Sequence, residues 1–271
     1  IQHVERVLVR GRPSMVTPNE KLAASLAQLQ KLQQDGRRVF RSGELTRVHR
    51  ERLVASGFLR QVMKGWLISS SPDADSGDTT PWFASLWKFC AAYCAVRFEG
   101  DWHLSPEQSL LLHAENTGIP RQVIIYTPKG TNNMVDLLFG TSLYDLRQKD
   151  MPPDADLVSR DGLRLFAPEA ALVRVPGAFF VRYPIEAQVV LSGIRDASDI
   201  LGRLLDGGHS VIAGRLGGAF RRIGRDEVAD EISSVMKRAG YDLRESDPFE
   251  PEQAFGMLSR AQAPIIGRLR A

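Results

Sequence analysis

Leu22, Leu26, Leu29 and Leu32 recur at helical spacing behind the run Thr17-Pro18-Asn19-Glu20. That run starts a helix on local grounds alone. Thr17 caps, Pro18 takes the first helical position where its missing N–H costs nothing, and Glu20 closes a reciprocal capping box. Asp35-Gly36 ends the helix, because glycine adopts the left-handed conformation without a Cβ penalty. Val39-Phe40 then reads as a brief extended piece. Ser42 caps a short helix over 43–48, and a second begins at Thr46 or Val48 and runs to Gly57. Strands follow at 58–62 and 66–69, with Lys64-Gly65 at the turn. Helix, strand, helix, helix, hairpin is the element order of a winged helix-turn-helix.

The pattern changes after residue 70. A polar, small and acidic stretch to residue 80 marks a linker and the first domain boundary. Residues 81–98 read as one helix with Trp82, Leu86, Phe89, Tyr93 and Val96 on a broad apolar face, a stripe that belongs to a core. Ser105-Pro106-Glu107-Gln108 is a second helix start. Strands are predicted at 122–127, 135–139, 142–147 and 163–166, with a turn at 129–133 and a helix from Pro168. From 184 to 239 the period is helical. Three helices are expected there, separated by Gly207-Gly208, Gly217-Gly218 and Gly224, with a strand at 241–245. The predicted fold class is α+β: an extended lead-in (1–16), a winged helix-turn-helix (17–72), a mixed α/β middle domain (73–183), a helical domain (184–248) and a linker (249–271) towards a further domain. The opening Ile1 is read as the start of a fragment.

Charge sharpens this outline. The chain of 271 residues carries a net charge of only +3, yet between Arg37 and Lys64 eight Lys/Arg face two carboxylates, Glu44 and Glu51. A basic face so concentrated suggests a polyanion. Arg47, His49, Arg50 and Arg52 fall on the second helix, where long polar side chains read base edges in the major groove. Arg47 and Arg50, three residues apart, share a face. Arg60 and Lys64 fall on the wing, and Arg37, Arg38 and Arg41 precede the turn at positions suited to phosphate. The plainer reading of the same residues is a solvated basic surface. Apolar runs are broken by charges well before the ~20 residues a membrane span needs.

Catalytic chemistry is harder to find. Cys90 and Cys94 stand four apart without a second Cys/His pair to complete a zinc set, which reads as buried apolar packing in a reducing, cytoplasmic setting. His49, His103, His113 and His209 form no H-x-x-H or H-E-x-x-H pair. Gly214-Arg215-Leu216-Gly217-Gly218 and Lys129-Gly130-Thr131 lack the context of phosphate loops; the former glycines suit a close helix approach. No catalytic residue, metal ligand or cofactor site is assigned.

Four segments together, TPNEKLAASLAQLQKLQ, FRSGELTRVHRERLVASGFLRQVMKGWLI, LSPEQSLLLHAENTGIPRQVIIYTPKG and HSVIAGRLGGAFRRIGRDEVADEI, resemble the N-terminal half of bacterial Fic-family proteins over roughly residues 14–248. The resemblance implies a region that precedes a domain transferring AMP from ATP to a protein hydroxyl. The Fic motif H-[PF]-F-x-[DE]-G-N-[GK]-R is absent from this chain. So is the inhibitory [ST]-x-x-x-E-[GN] motif, since Ala95 precedes Glu99-Gly100 and Leu111 precedes Glu115-Asn116. The layout is also similar to AbiEi-type type IV antitoxins, a winged helix followed by an α/β domain closing with GLRLFAPEAALV; that likeness implies promoter binding and a nucleotidyltransferase toxin as partner. The expectation is therefore a non-enzymatic, DNA-binding regulatory region in a toxin–antitoxin-like setting. The alternative is a protein-interaction module that recruits a substrate or restrains a toxin without touching nucleic acid.

Overall fold

The computed structural model describes residues 17–73 and 77–250; the predicted lead-in and nearly all of the predicted C-terminal linker lie outside them. The protein is mixed α+β, with several small sheets. It divides into two compact units, 1–89 and 90–271.

In the N-terminal unit, α1 (Pro18–Leu32) begins as its sequence dictates. The Thr17 N–H donates to Glu20 Oε2 at 2.7 Å, and the Glu20 N–H to Thr17 Oγ1 at 3.3 Å. Strand β1 (Val39–Arg41) leads into a single 3₁₀ turn, Ser42–Glu44, in place of the helix expected over 43–48. Leu45 explains the difference: it is extended and buried, which stops the turn from propagating. Helix α2 (Arg47–Ala55) follows, capped by Thr46, and then β2 (Leu59–Met63) and β3 (Trp66–Ser69). The three strands form an antiparallel sheet in the order β1-β3-β2. Leu29, Phe40, Leu45, Leu53, Leu59 and Leu67 make its core.

The boundary expected near residue 72 falls later. Helix α3 (Thr80–Phe83) and the start of α4 (Leu86–Phe98) belong to the first unit, because Trp82 and Phe89 are fully buried and Phe89 packs edge-on to Trp66 with centroids 5.7 Å apart. The single helix predicted over 81–98 is thus two. The fully buried Ser85, whose hydroxyl donates to the Pro81 carbonyl, marks the break.

The second unit opens within α4. Strand β4 (His103–Leu104), α5 (Pro106–His113), β5 (Gln122–Thr127), β6 (Met134–Asp136) and β7 (Ser142–Arg147) build a sheet of order β4-β5-β7-β6, in which only β5 and β7 run parallel. The strand expected over 135–139 ends early, since Phe139 turns to a φ of +53°. A hairpin, β8 (Leu157–Arg160) with β9 (Leu163–Phe166), precedes six helices: α6 (Pro168–Arg174), α7 (Ala178–Arg182), α8 (Pro184–Gly193), α9 (Ser198–Asp206), α10 (Ser210–Arg222) and α11 (Asp226–Arg238).

Three expectations change here. The boundary at 183/184 is crossed by one core running from Leu110 and Phe166 through Leu191 and Phe220 to Met236. Gly217-Gly218 lie inside α10 rather than between helices. Residues 241–245 form no strand; they lie against helices. No helix among the described residues is long and apolar enough to cross a membrane.

Candidate nucleic-acid interface

The basic residues singled out by sequence separate into two groups once their partners are known. One edge of the small sheet gathers Arg41, Lys64 and the first turn of α2. Arg41 pairs with Trp66 across β1 and β3, and the Ser42 N–H donates to the Gly65 carbonyl at 2.9 Å. The hairpin tip Lys64-Gly65, with Gly65 at φ +89°, therefore sits beside the turn that precedes α2. Arg41 and Lys64 are exposed, and among the described residues neither side chain has a protein partner. Arg50 reaches this edge from α2 and donates to the Ser42 carbonyl at 3.0 Å, which fixes the helix against the turn.

Most of the remaining cations are committed elsewhere. Arg37 Nη2 holds both oxygens of Glu44, at 2.7 and 2.9 Å, and its guanidinium lies 5.4 Å from the Phe40 ring centroid. Glu44 also accepts the Arg41 backbone N–H at 2.6 Å, so this carboxylate organises the turn. Arg52 Nη1 donates to the Lys21 carbonyl and to Ser25 Oγ, both at 2.8 Å, tying α2 to α1. His49 Nδ1 lies 2.9 Å from the same Ser25 hydroxyl. Arg60 Nη1 donates to the Asp78 carbonyl at 3.4 Å, away from the hairpin tip. Arg38 is exposed at the far end of β1, where it lines a cavity of about 430 Å³ with Gln33, the serines at 69–71 and Asp78.

The outward face of α2 consists of Arg47, Val48, Glu51, Val54 and Ala55, while His49, Arg50 and Arg52 are half-buried and Leu53 is buried. At about 100° per residue these five fall within one sector. Arg47 and Glu51 form an exposed i,i+4 pair at 2.7 Å, and Val48 is 59% exposed. Arg47 and Arg50, expected to share one face, differ in exposure: Arg47 is exposed, while Arg50 and Arg52 are half-buried and donate to the Ser42 and Lys21 carbonyls. The spacing of basic residues conveyed their number. The acceptors that claim them, Ser25, Ser42 and Glu44, carried no signal of that role in the sequence.

Elsewhere many polar residues pair with one another, while among the described residues His103 Nε2, Arg164 Nε and Arg215 Nε are buried without a hydrogen-bond partner. Lys129 pairs with Glu99 and Asp101 at 3.2 and 3.0 Å. Asp145 accepts from the Thr131 and Asn133 N–H groups and from Arg97, holding the 129–133 loop in place. Burial presses its carboxyl upward, but these hydrogen bonds outweigh that and hold it below the usual carboxylate range. His113 Nε2 donates to the Phe166 carbonyl at 2.8 Å. His103 is buried, stacks on Tyr126 and donates from Nδ1 to the Leu104 carbonyl; burial lowers its pKa. Cys90 and Cys94 are buried, and burial pushes the Cys90 thiol up to about 12. Among the described residues no group of three or more His, Cys, Asp or Glu is arranged to hold a metal ion. Compared with known proteins, the chain matches no family model and no curated protein.

Proposed function

We propose that the N-terminal unit is a winged-helix module that binds duplex DNA, and that the chain is a non-catalytic cytoplasmic regulatory region of the Fic type with an antitoxin-like layout. The observation that supports DNA binding most is the edge formed by the hairpin tip and the turn before α2. Lys64 and Arg41 lie there without protein partners, and Arg47 projects from the first turn of α2. Exposed cations of this kind meet phosphates and release counterions. Arg38 extends the basic surface at the other end of β1, while Arg37, His49, Arg50, Arg52 and Arg60 position the elements. The Fic and antitoxin readings rest on sequence resemblance alone.

The test is fluorescence anisotropy of the purified chain with its own upstream duplex and a scrambled duplex at two salt concentrations. Salt-sensitive binding that prefers the upstream duplex, weakened in the double variant Arg41→Ala/Lys64→Ala, is the expected outcome. Removing a cation that meets one phosphate lowers the salt slope by about one. Identical affinity for the two duplexes, unchanged in the double variant, would remove the assignment.

A second reading has its own observation. The outward face of α2 carries Val48, Val54 and Ala55 around a self-neutralised Arg47–Glu51 pair, a composition that suits a protein partner as well as a thymine methyl. Under that reading a module of this unit recruits a substrate or restrains a toxin, and DNA affinity is absent at low salt.

A further inference from the structure

The stretch after α11, residues 241–250, has no helix or strand of its own, yet it lies in a groove shaped to its main chain. Gly214 and Gly218, one turn apart on α10, form the floor. A Cβ at Gly214 would lie 2.1 Å from the Arg244 carbonyl oxygen, and one at Gly218 would lie 2.1 Å from that of Ser246. Any side chain at either position must expel the segment. The Ser246 N–H donates to the Gly214 carbonyl at 3.3 Å. Apart from the Tyr241 N–H, which closes α11, this is the one main-chain hydrogen bond from the segment to the helices among the described residues.

Side chains make the remaining contacts. Glu245 accepts from Arg221 Nε at 2.9 Å and Nη2 at 3.1 Å, and from the Ser233 hydroxyl at 2.7 Å. Arg221 also pairs with Asp226 and Asp230, so its guanidinium is oriented independently of the segment. Asp247 lies 3.5 Å from Arg222 and accepts the Phe249 N–H at 2.9 Å. Pro248 is buried, and the Phe249 ring sits edge-on to Phe180 with centroids 5.6 Å apart. The hydrogen bond from Arg221 is the main reason that the Glu245 carboxyl stays below its ordinary range.

We propose that this groove is a docking site for an extended segment of a partner protein, with two carboxylates two residues apart and an aromatic ring two residues further on, and that residues 244–249 occupy it in cis. The contacts are those by which extended peptides are recognised in trans: a bare backbone floor, charge-assisted anchors at the solvent edge and one ring against an apolar wall. Glu245 and Asp247 keep 30% and 21% of their side-chain surface exposed, so their ion pairs form at a rim where each contributes little. A tethered segment acts at an effective concentration in the ~mM range, so it masks the groove without needing high intrinsic affinity. The proposal rests on the second unit alone and is independent of DNA binding.

The probe is a labelled synthetic peptide of residues 241–250, titrated into the full chain and read by anisotropy. Three proteins are compared: the native chain, the chain with Glu245→Ala/Asp247→Ala/Phe249→Ala, and that triple variant with Gly218→Val added. At least ten-fold tighter binding to the triple variant than to the native chain is expected, with binding abolished on Gly218→Val. Should the triple variant lose its helical circular dichroism, Asp247→Ala alone replaces it, and a gain of about two-fold or more abolished by Gly218→Val is expected. Absence of binding to the unmasked chain, or equal binding to all three proteins, overturns the proposal.

Discussion

In the C-terminal unit Arg174 and Arg203 converge on the buried carboxylate of Asp156, and Arg221 gathers Asp226, Asp230 and Glu245. In the N-terminal unit the Arg41 and Lys64 side chains end in solvent with no ion-pair partner among the described residues. Both units are rich in arginine, so the difference lies in the acceptors. Between residues 37 and 64 the two carboxylates are consumed by Arg37 and Arg47. The surplus positive charge is left at the hairpin tip, while the second unit has carboxylates enough to turn its arginines into scaffold. An arginine is available to a polyanion only where nothing within the fold has claimed it.

The strongest way to break this comparison is Asp156→Ala. It leaves the half-buried Arg203 and the more exposed Arg174 without their shared buried acceptor, and losing hydrogen bonds to a charged group costs about 1.5–3 kcal/mol. A fall of that size in urea unfolding of the second unit is expected. A loss below about 1 kcal/mol would place the Asp156 cluster among ordinary surface pairs and dissolve the contrast with the hairpin tip.

Next is Arg52→Ala, which tests whether a cation counted as DNA-binding by sequence belongs to the scaffold. It deletes donors to the Lys21 carbonyl and Ser25 Oγ between α1 and α2. The expected loss is about 1–3 kcal/mol of stability, with the DNA affinity of the folded protein unchanged. Weaker DNA binding at undiminished stability would return Arg52 to the interface. Arg41→Ala should do the reverse, shifting stability by no more than ~0.5 kcal/mol while lowering DNA affinity.

How much of this was legible follows from how local each determinant is. The Thr17–Glu20 capping box, the strands at 122–127, 142–147 and 163–166 and the Lys64-Gly65 turn are fixed by residues within a few positions, and each is found where the pattern placed it. The 3₁₀ turn at Ser42–Glu44 and the break at Ser85 depend on Leu45 and Trp82 finding a core, which no local rule reveals. Strand β4 is two residues long, too short for any alternation to register. At the candidate interface the sequence located the region but not the division of labour, because Ser25 and Asp78 reach Arg52 and Arg60 from 27 and 18 positions away. The glycines of α10 were legible as a close approach. That the approaching chain is an extended segment rather than a helix was not.

Acid offers a smaller, unit-specific test. The folded pKa of His103 is depressed by burial, so the unfolded chain takes up its proton first, and stability falls as pH drops below about 6.5. The folded pKa of Asp145 is also depressed, so its contribution is present above about pH 4 and is lost as pH falls through the folded value. Thermal melts from pH 7.5 down to about pH 2 should show two successive losses in the second unit. His103→Phe should remove the first alone; a melt that keeps its decline from pH 7.5 to 5.5 in that variant would assign it to another group.

The smallest effect is the one that separates the two readings of α2. Glu51 neutralises Arg47 on the outward face, at 2.7 Å, with both side chains more than half exposed. If that face meets DNA, Glu51→Ala frees Arg47 and removes a carboxylate from the neighbourhood of phosphates. Affinity should then rise by roughly 0.5–1 kcal/mol, about two- to five-fold at low salt, and the gain should fade as salt screens it. If the face is a protein-docking surface built on Val48 and Val54, the same substitution leaves duplex binding untouched while Val48→Asp disrupts the partner. The sign of one exposed carboxylate therefore decides what the helix is for, since stability responds to it by no more than a few tenths of a kcal/mol.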